Sequence, residues 1–184
     1  VFFTIVINKL WGIGKNRQRK KDPIVKQVAR NEVIKSHLTD ISALLRERPD
    51  KLSIWLFHNG GIFYSGKSMQ KMSIFAEVGS TYMVPTLQRM QNIPIMNYQS
   101  VLTDLIQNDC VGYADIDMVS DQHLLHLLEF ESAKSFFAFR IQDQLGRFIG
   151  ILTIQYTHTA GTIAEAESAA IRLECSKIAD ELMA

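Results

Sequence analysis

The sequence predicts an α+β fold built on an antiparallel sheet. Three observations carry this prediction: a long heptad-patterned segment near the start, two alternating strands joined by a short turn near the end, and a capped helix that closes the chain. The order helix, hairpin, mixed middle, hairpin, helix favours antiparallel pairing over parallel βαβ units. With 184 residues, 47% of them hydrophobic, the chain can form one domain with a real core and an extension.

Residues 1–21 have the order expected at the inner end of a transmembrane helix: an apolar run, an aromatic residue and then a basic cluster. The apolar part is shorter than the roughly 20 residues that span a bilayer, so we expect further apolar residues upstream of Val1. A helix lying on the lipid surface and an ordinary soluble segment are the alternatives. The residues expected to face the membrane are Phe2, Phe3, Ile5, Trp11, Lys15, Arg17, Arg19, Lys20 and Lys21.

Charge is divided unevenly along the chain. Residues 1–50 carry 11 Lys and Arg against 5 Asp and Glu, whereas residues 51–184 carry 9 against 14. A positive arm on a mildly acidic body suits an anionic membrane, with the body on the cytoplasmic side. Nucleic acid is an unfavoured partner, because the body has no basic stripe with interleaved aromatic residues.

Residues 22–49 are predicted to form a long linking helix. Asp22-Pro23 is a typical helix start, and Pro49-Asp50 ends the pattern. Apolar residues repeat at heptad spacing, with Asn31 at one inner position. The same stripe would serve a two-stranded coiled coil or a helix packed on its own domain, and the sequence leaves both open. In a dimer the seam would consist of Ile34, Leu38, Ile41 and Leu45.

The third segment, residues 50–184, is predicted to be the globular domain. It opens with a strand at Leu52–Phe57, rich in β-formers, and a turn at His58–Gly61 that leads into a returning strand at Ile62–Ser65. In the middle we expect a strand or helix at Ser73–Val78, short helices at Pro85–Met90 and Val101–Gln107, an extended piece at Pro94–Tyr98, a strand at Cys110–Asp115 and a helix capped by Asp121.

The end of the chain has the clearest pattern. Ser135–Gln142 alternates apolar and polar residues, and Arg147–Thr157 follows after a Gly-containing turn, which together predict an antiparallel hairpin. Thr162 and Glu165 have the spacing of a capping box, which would open a final helix reaching Leu182.

The stretch KSFFAFRIQDQLGRFIGILTIQY, followed by a long helix, resembles the C-terminal half of GAF domains. Ser135, Gly146 and the run Ile149–Leu152 stand where that family tends to have a Ser, a turn Gly and an "IGxLxL"-like strand. Residues 24–66 add the expected leading helix and first hairpin. The resemblance implies a sheet of five or six antiparallel strands with long terminal helices on one face. Short helices and loops would cover the other face, where family members bind small ligands.

The resemblance also has departures. The NKxxD-type motif of the cyclic-nucleotide-binding members is missing, and Cys110 lies thirteen residues before His123, so the Cys-His pair of the bilin-binding members is missing too. The clustered cysteines of the family's methionine-sulfoxide reductases are also lacking. Cys110 and Cys175 are the only cysteines, and we expect both to be reduced thiols.

Other candidates for chemistry have simpler interpretations. The turn at His58 has no evident activating partner, and Asp115, Asp117 and Asp121 lack the Gly and the terminal Glu of an EF-hand. His123 and His126 share a helix face, but nothing supplies further metal ligands. There is no phosphate loop, nucleophile elbow or zinc set. We therefore expect no catalytic activity, no metal and no cofactor.

These observations lead to two functional hypotheses. The first is a membrane-tethered GAF-like sensory module, dimeric and non-catalytic, that binds a small molecule. The second is a GAF-like structural or assembly module of a larger membrane-associated or virion complex, which binds protein and no ligand. For the first we expect a pocket with a few polar groups among apolar walls. Its candidate residues are Arg140, Tyr98, Tyr113, Glu77 and Asp115.

Overall fold

The computed structural model describes residues 23–62, 65, 68–80 and 85–184. The predicted membrane-facing segment, residues 1–21, lies outside these residues. Within them, no helix combines the length and the apolar character that a membrane span requires. The helices are α1 (Pro23–Leu44), α2 (Gln99–Asn108), α3 (Gln122–Phe130) and α4 (Glu165–Met183), and the strands are β1 (Lys51–Ile62), β2 (Ser68–Gly79), β3 (Ile93–Pro94), β4 (Cys110–Tyr113), β5 (Ser135–Gln142) and β6 (Phe148–Tyr156).

The six strands of the described residues form one sheet in the order β3-β2-β1-β6-β5-β4. Every neighbouring pair is antiparallel. The two hairpins expected from the sequence, β1–β2 and β5–β6, meet where β1 pairs with β6 at the centre of the sheet. Helices lie on both sides of the sheet, and the predicted α+β fold class is confirmed.

One face of the sheet, which we name the helix face, packs against α4 and the part of α1 that follows Glu32. Alternate residues of β1, Leu52 and Ile54, point into this layer together with β6 residues such as Leu152. These side chains are almost fully removed from water, and each such burial contributes about 1.5–3 kcal/mol. The helix face therefore forms the larger apolar core.

The apolar stripe of α1 belongs to this core. Ile34, Leu38 and Ile41 are each 0% exposed, and Leu45 is 6% exposed, within a single chain. A side chain buried against its own sheet leaves no surface for a partner helix. The dimer seam expected at these four residues is therefore unavailable, and the stripe has the other role that its spacing allows, packing on its own domain.

The opposite face, which we name the cavity face, is covered by the short helices α2 and α3. Trp55 and Met72 rise from the sheet, and Leu105 and Leu128 descend from the two helices to meet them. Asp121 caps α3 as predicted, because its carboxylate accepts the backbone amides of His123 and Leu124. The cover is thus made of short elements, as the resemblance implied.

The first hairpin is longer than predicted. Strand β1 continues through the expected turn, since Asn59 pairs with Gln70 and Ile62 pairs with Ser68. Two glycines, Gly60 and Gly61, fall at an irregularity in this pairing, and Gly61 has φ of 130°. The predicted turn at His58–Gly61 was wrong because these glycines form a bulge inside the strand rather than a reversal of the chain.

Other boundaries also differ from the sequence predictions. Within Pro85–Met90 the chain makes a turn at Leu87–Arg89 instead of a helix, and Ile95–Tyr98 is a 3-10 helix instead of an extended piece. The final helix begins at Glu165, where the side chain of Glu167 accepts the amide of Ala164 at 2.7 Å. The capping acid is therefore Glu167, two residues after the one predicted.

A buried carboxylate connects the two long helices. Glu174 of α4, 7% exposed, accepts hydrogen bonds from His37 Nδ1 of α1 at 2.9 Å and from Lys177 Nζ at 2.6 Å. Burial acts to raise the pKa of this carboxyl, but the hydrogen bonds from Lys177 and His37 outweigh it, and the net pKa is lowered. The ionised form is therefore the one that stabilises the folded chain.

Glu174→Gln should destabilise the protein by about 1–2 kcal/mol at pH 7. A lowered folded-state pKa gives stability above the ordinary glutamate pKa, and this stability is lost as the pH falls through the lowered value. Urea unfolding of variant and wild type at several pH values should thus show a difference that vanishes in acid. Glu165→Gln, at an exposed residue of the same helix, is the control. A difference that persists in acid would contradict the role of the ionised carboxylate.

Candidate functional site

An inner cavity of about 40 Å³ lies between the cavity face and its helical cover. A space of this size holds roughly two or three water molecules or a few heavy atoms of a ligand. Strands β1, β2, β5 and β6 provide one side, and α2, α3 and the preceding 3-10 helix provide the other. Its lining residues are Trp55, Met72, Tyr98, Val101, Leu102, Leu124, Leu127, Phe136, Ala138, Ile151, Thr153 and Gln155.

A larger space, which we name the outer groove, adjoins the inner cavity. It measures about 480 Å³ and runs between α2 and the ends of β1, β2 and β6. Leu102 lines both spaces and therefore stands between them. The groove falls within the range of roughly 300–1,000 Å³ that small-molecule sites occupy. Its lining residues are Phe57, Gln70, Ile95, Met96, Gln99, Leu102, Thr103, Ile106 and Phe148.

A buried ionic group, which we name the Lys51 cluster, lies on the cavity face. It consists of Lys51, Glu77, Thr86 and Glu131. The Lys51 ammonium, with a side chain 3% exposed, lies 2.8 Å from Glu131 Oε1, 2.6 Å from Thr86 Oγ1 and 3.4 Å from Glu77 Oε2. Thr86 donates its hydroxyl to Glu77 at 2.6 Å and its amide at 3.0 Å. One ammonium faces two carboxylates, so the cluster has a formal excess of one negative charge.

Three buried oxygen atoms near this cluster have no hydrogen-bond partner in the described part of the chain. They are Ser53 Oγ, Glu131 Oε2 and Gln155 Oε1. In the sheet register Ser53 sits opposite Glu77, and Gln155 sits opposite Lys51, so the oxygens belong to one end of the cavity face. Gln155, 4% exposed, also lines the inner cavity. Each unpaired polar atom costs about 1–3 kcal/mol when buried.

The pKa of Tyr98, which lines the inner cavity, is raised above its ordinary value. Burial raises the pKa of its phenol first of all, and the negative charges of Asp121 and Glu131 raise the pKa further. A tyrosine that lines the inner cavity therefore lies within the field of the Glu131 carboxylate.

Arg140 lies on β5 in an ion pair rather than in either cavity. Its guanidinium pairs with the Asp109 carboxylate and donates to the Ile106 carbonyl at 3.1 Å, and its backbone amide donates to the Asp109 carbonyl. Asp109 caps the end of α2 in a left-handed conformation. Arg140 thus fastens α2 to the sheet. Arg140 lines neither the inner cavity nor the outer groove, where the ligand role predicted for it would place it.

The other four expected ligand residues fall into different surroundings. Tyr98 lines the inner cavity, and Glu77 belongs to the Lys51 cluster. Tyr113 lies on edge strand β4, half-buried beside the core of the cavity face. Asp115 accepts the amide of Asp117 and caps a short 3-10 helix at the surface. The structure therefore places Tyr98 in the inner cavity, Glu77 in the Lys51 cluster, and Tyr113 and Asp115 in neither.

The weaker candidates for chemistry have structural partners. His58 contacts the Ser73 hydroxyl at 2.8 Å through Nε2, and His126 pairs with Glu129 at the surface of α3. Among the residues that the structure describes, no three His, Cys, Asp or Glu side chains converge as a metal site would require.

Sequence reasoning missed Lys51, Glu131 and Gln155. A signal for two of them is present in the strands: Lys51 and Gln155 alternate with apolar residues and share the face of Trp55 and Thr153. A lysine and a glutamine on the inward face of central strands require partners, which predicts a buried polar group. Glu131 carries no such signal, because it follows α3 and reaches the cluster only through the tertiary fold.

Comparison with solved structures identifies the fold. A far-red cyanobacteriochrome photoreceptor superposes with a TM-score of 0.63 at 14% identity, covering 93% of this chain and 97% of that one. A GAF domain of Synechocystis in its photoproduct state gives 0.62 at 10% identity, covering 82% and 90%. A type II free methionine-R-sulfoxide reductase from Thermoplasma acidophilum gives 0.60 at 14% identity, covering 85% and 94%. No family model and no characterised protein matches the sequence itself.

Lys51→Met should destabilise the protein by about 3–5 kcal/mol, because it leaves the carboxylates of Glu77 and Glu131 buried without a counter-charge. Urea unfolding at pH 7 measures the change. Lys134→Met is the control, since the Lys134 ammonium makes one exposed hydrogen bond, to the His158 carbonyl, and should cost less than about 1 kcal/mol. Equal stability of the two variants would show that the carboxylates do not depend on Lys51.

Proposed function

We propose that this chain, which has the GAF fold, is a non-catalytic module that binds a small molecule between its sheet and the helices α2 and α3. The single observation that carries the proposal is the outer groove of about 480 Å³, which adjoins the inner cavity. Its volume lies within the range of roughly 300–1,000 Å³ that small-molecule sites occupy.

The two adjoining spaces suit a ligand that has a small end and a larger remaining part. The inner cavity accommodates a few atoms, and the outer groove has the volume and the mostly apolar walls of an ordinary ligand site. Leu102 lines both spaces. The neighbouring photoreceptors and the reductase show that the same fold serves sensing and catalysis in other proteins.

The assembly module remains the second candidate, and the small size of the inner cavity favours it. A cover that packs closely on the sheet leaves little room, and Met96 and Ile106 at the groove are 66% and 59% exposed, as residues at a protein contact would be before binding. In that case the groove would receive a side chain of a partner protein rather than a free molecule.

Trp55 allows a direct test, because it lines the inner cavity and the sequence has only one other tryptophan, Trp11. In the full chain carrying Trp11→Phe, small polar fragments should change the fluorescence of Trp55 in a saturable way. Adding Ala138→Val places two methyl groups in the cavity and should weaken this response about tenfold or more.

The control is Ala179→Val, at a buried alanine of α4 on the opposite face of the sheet. It should leave the fluorescence response intact even if it lowers stability. The absence of any saturable response to a fragment library would contradict small-molecule binding and leave the assembly module.

We also propose that residues 1–21 tether the chain to a membrane, because an apolar run, an aromatic residue and a basic cluster follow one another in that segment. The full chain should float with vesicles that contain anionic lipid, and Lys20→Glu with Lys21→Glu should weaken this association. The paired control is Lys134→Glu with Arg89→Glu, at two exposed basic residues of the domain. Failure to float with any vesicle at low salt would contradict the tether.

A further inference from the structure

The outer groove is built from uncharged side chains. Most are apolar, such as Phe57 and Phe148, and three are polar but neutral, namely Gln70, Gln99 and Thr103. Within the described part of the chain, no Asp, Glu, Lys, Arg or His lines the groove. A charged group of a ligand would therefore lose contact with water here without gaining an opposite charge from the walls, which is unfavourable.

The arginines on the elements around the groove already have acidic partners. Arg147, which directly precedes β6, pairs with Asp143 through Nε and Oδ2 at 2.6 Å. Arg140 donates to the Ile106 carbonyl on α2 and pairs with the Asp109 carboxylate. Neither guanidinium lines the groove, and neither is left over as a counter-ion for an anionic ligand.

The groove also presents apolar surface to water. Met96 and Ile106 are 66% and 59% exposed at its helical side. On the sheet side, the rings of Phe57 and Phe148 form an edge-to-face pair with centroids 4.9 Å apart. Covering apolar surface contributes roughly 25 cal/mol per Å², and aromatic walls suit further rings. An apolar ligand therefore gains affinity here without any charge.

We infer that the outer groove takes an uncharged, mostly apolar small molecule and discriminates against organic ions of the same shape. The aromatic and aliphatic walls supply the contact area, and Gln70, Gln99 and Thr103 supply neutral hydrogen-bonding groups. This inference rests on the proposed small-molecule function and specifies the ligand class for that site.

Three probes of nearly the same shape test the inference: 2-naphthylmethanol, 2-naphthoate and 2-naphthylmethylammonium. Each is titrated calorimetrically into the full chain at pH 7 and at constant ionic strength, which keeps general screening equal. The neutral alcohol should bind, and the anion and the cation should bind about tenfold more weakly or less, because each brings a charge that the groove does not compensate.

A charge placed in the groove should reverse part of this preference. Met96→Lys, at an exposed position, adds the counter-charge that the walls lack and should strengthen 2-naphthoate binding about threefold or more. Met183→Lys, the same change at an exposed residue of α4, should leave 2-naphthoate binding unchanged. Equal effects of the two variants would contradict the role assigned to the uncharged walls.

A second pair of variants locates the binding. Thr103→Trp places a large ring in the groove from an exposed position of α2 and should weaken 2-naphthylmethanol binding about tenfold or more. Ser176→Trp is the control, because Ser176 is also exposed and also donates its hydroxyl to the carbonyl four residues earlier in its helix. It should leave binding intact.

The outcomes separate this inference from the function on which it rests. If the two ions bind as tightly as the alcohol, the chain is a small-molecule module but its groove does not select uncharged ligands. If Thr103→Trp binds the alcohol as well as Ser176→Trp does, the outer groove is not the site. If no probe and no fragment of the library binds, the inference and the proposed function both fail.

Discussion

The buried ammonium of Lys51 is the interaction on which the cavity face depends. It lies at the start of β1 and contacts Glu77 near the end of β2, Thr86 in the following loop and Glu131 after α3. An ammonium in the interior must keep its partners. The cluster therefore fixes the positions of this loop and of the end of α3 on the sheet.

The two faces of the sheet meet opposite requirements. The helix face is closed by an apolar core in which Ile34, Leu38 and Ile41 of α1 are fully buried, and it supplies stability. The cavity face contributes less stability, because it buries polar atoms that lack partners in the described chain, such as Gln155 Oε1. A buried polar atom without a partner costs about 1–3 kcal/mol of stability.

Much of the fold could be predicted from sequence, because its strongest signals are local. The alternation in β5 and β6 and the heptad spacing of α1 each report which side of an element is buried. The heptad spacing could not report what buries it, and α4 and the sheet take the place that a partner helix would have had. The first hairpin was misjudged because Gly60-Gly61 serves a bulge as readily as a turn.

The site was predicted less well, because its residues are distant in sequence. Tyr98 and Glu77 were predicted as ligand residues, and the structure places Tyr98 in the inner cavity and Glu77 in the Lys51 cluster. Arg140 instead pairs with Asp109, whose left-handed conformation has no signal in the sequence. Lys51 and Gln155 sit opposite each other only because β1 pairs with β6 across about a hundred residues of chain. The pairing register of two strands so distant in the chain cannot be deduced from a single sequence.

A high-resolution crystal structure of the full chain soaked with small polar fragments would test the central claim most directly. We expect fragment density in the inner cavity or the outer groove, next to Trp55 or Leu102. Density for ordered water alone in both spaces would contradict small-molecule binding.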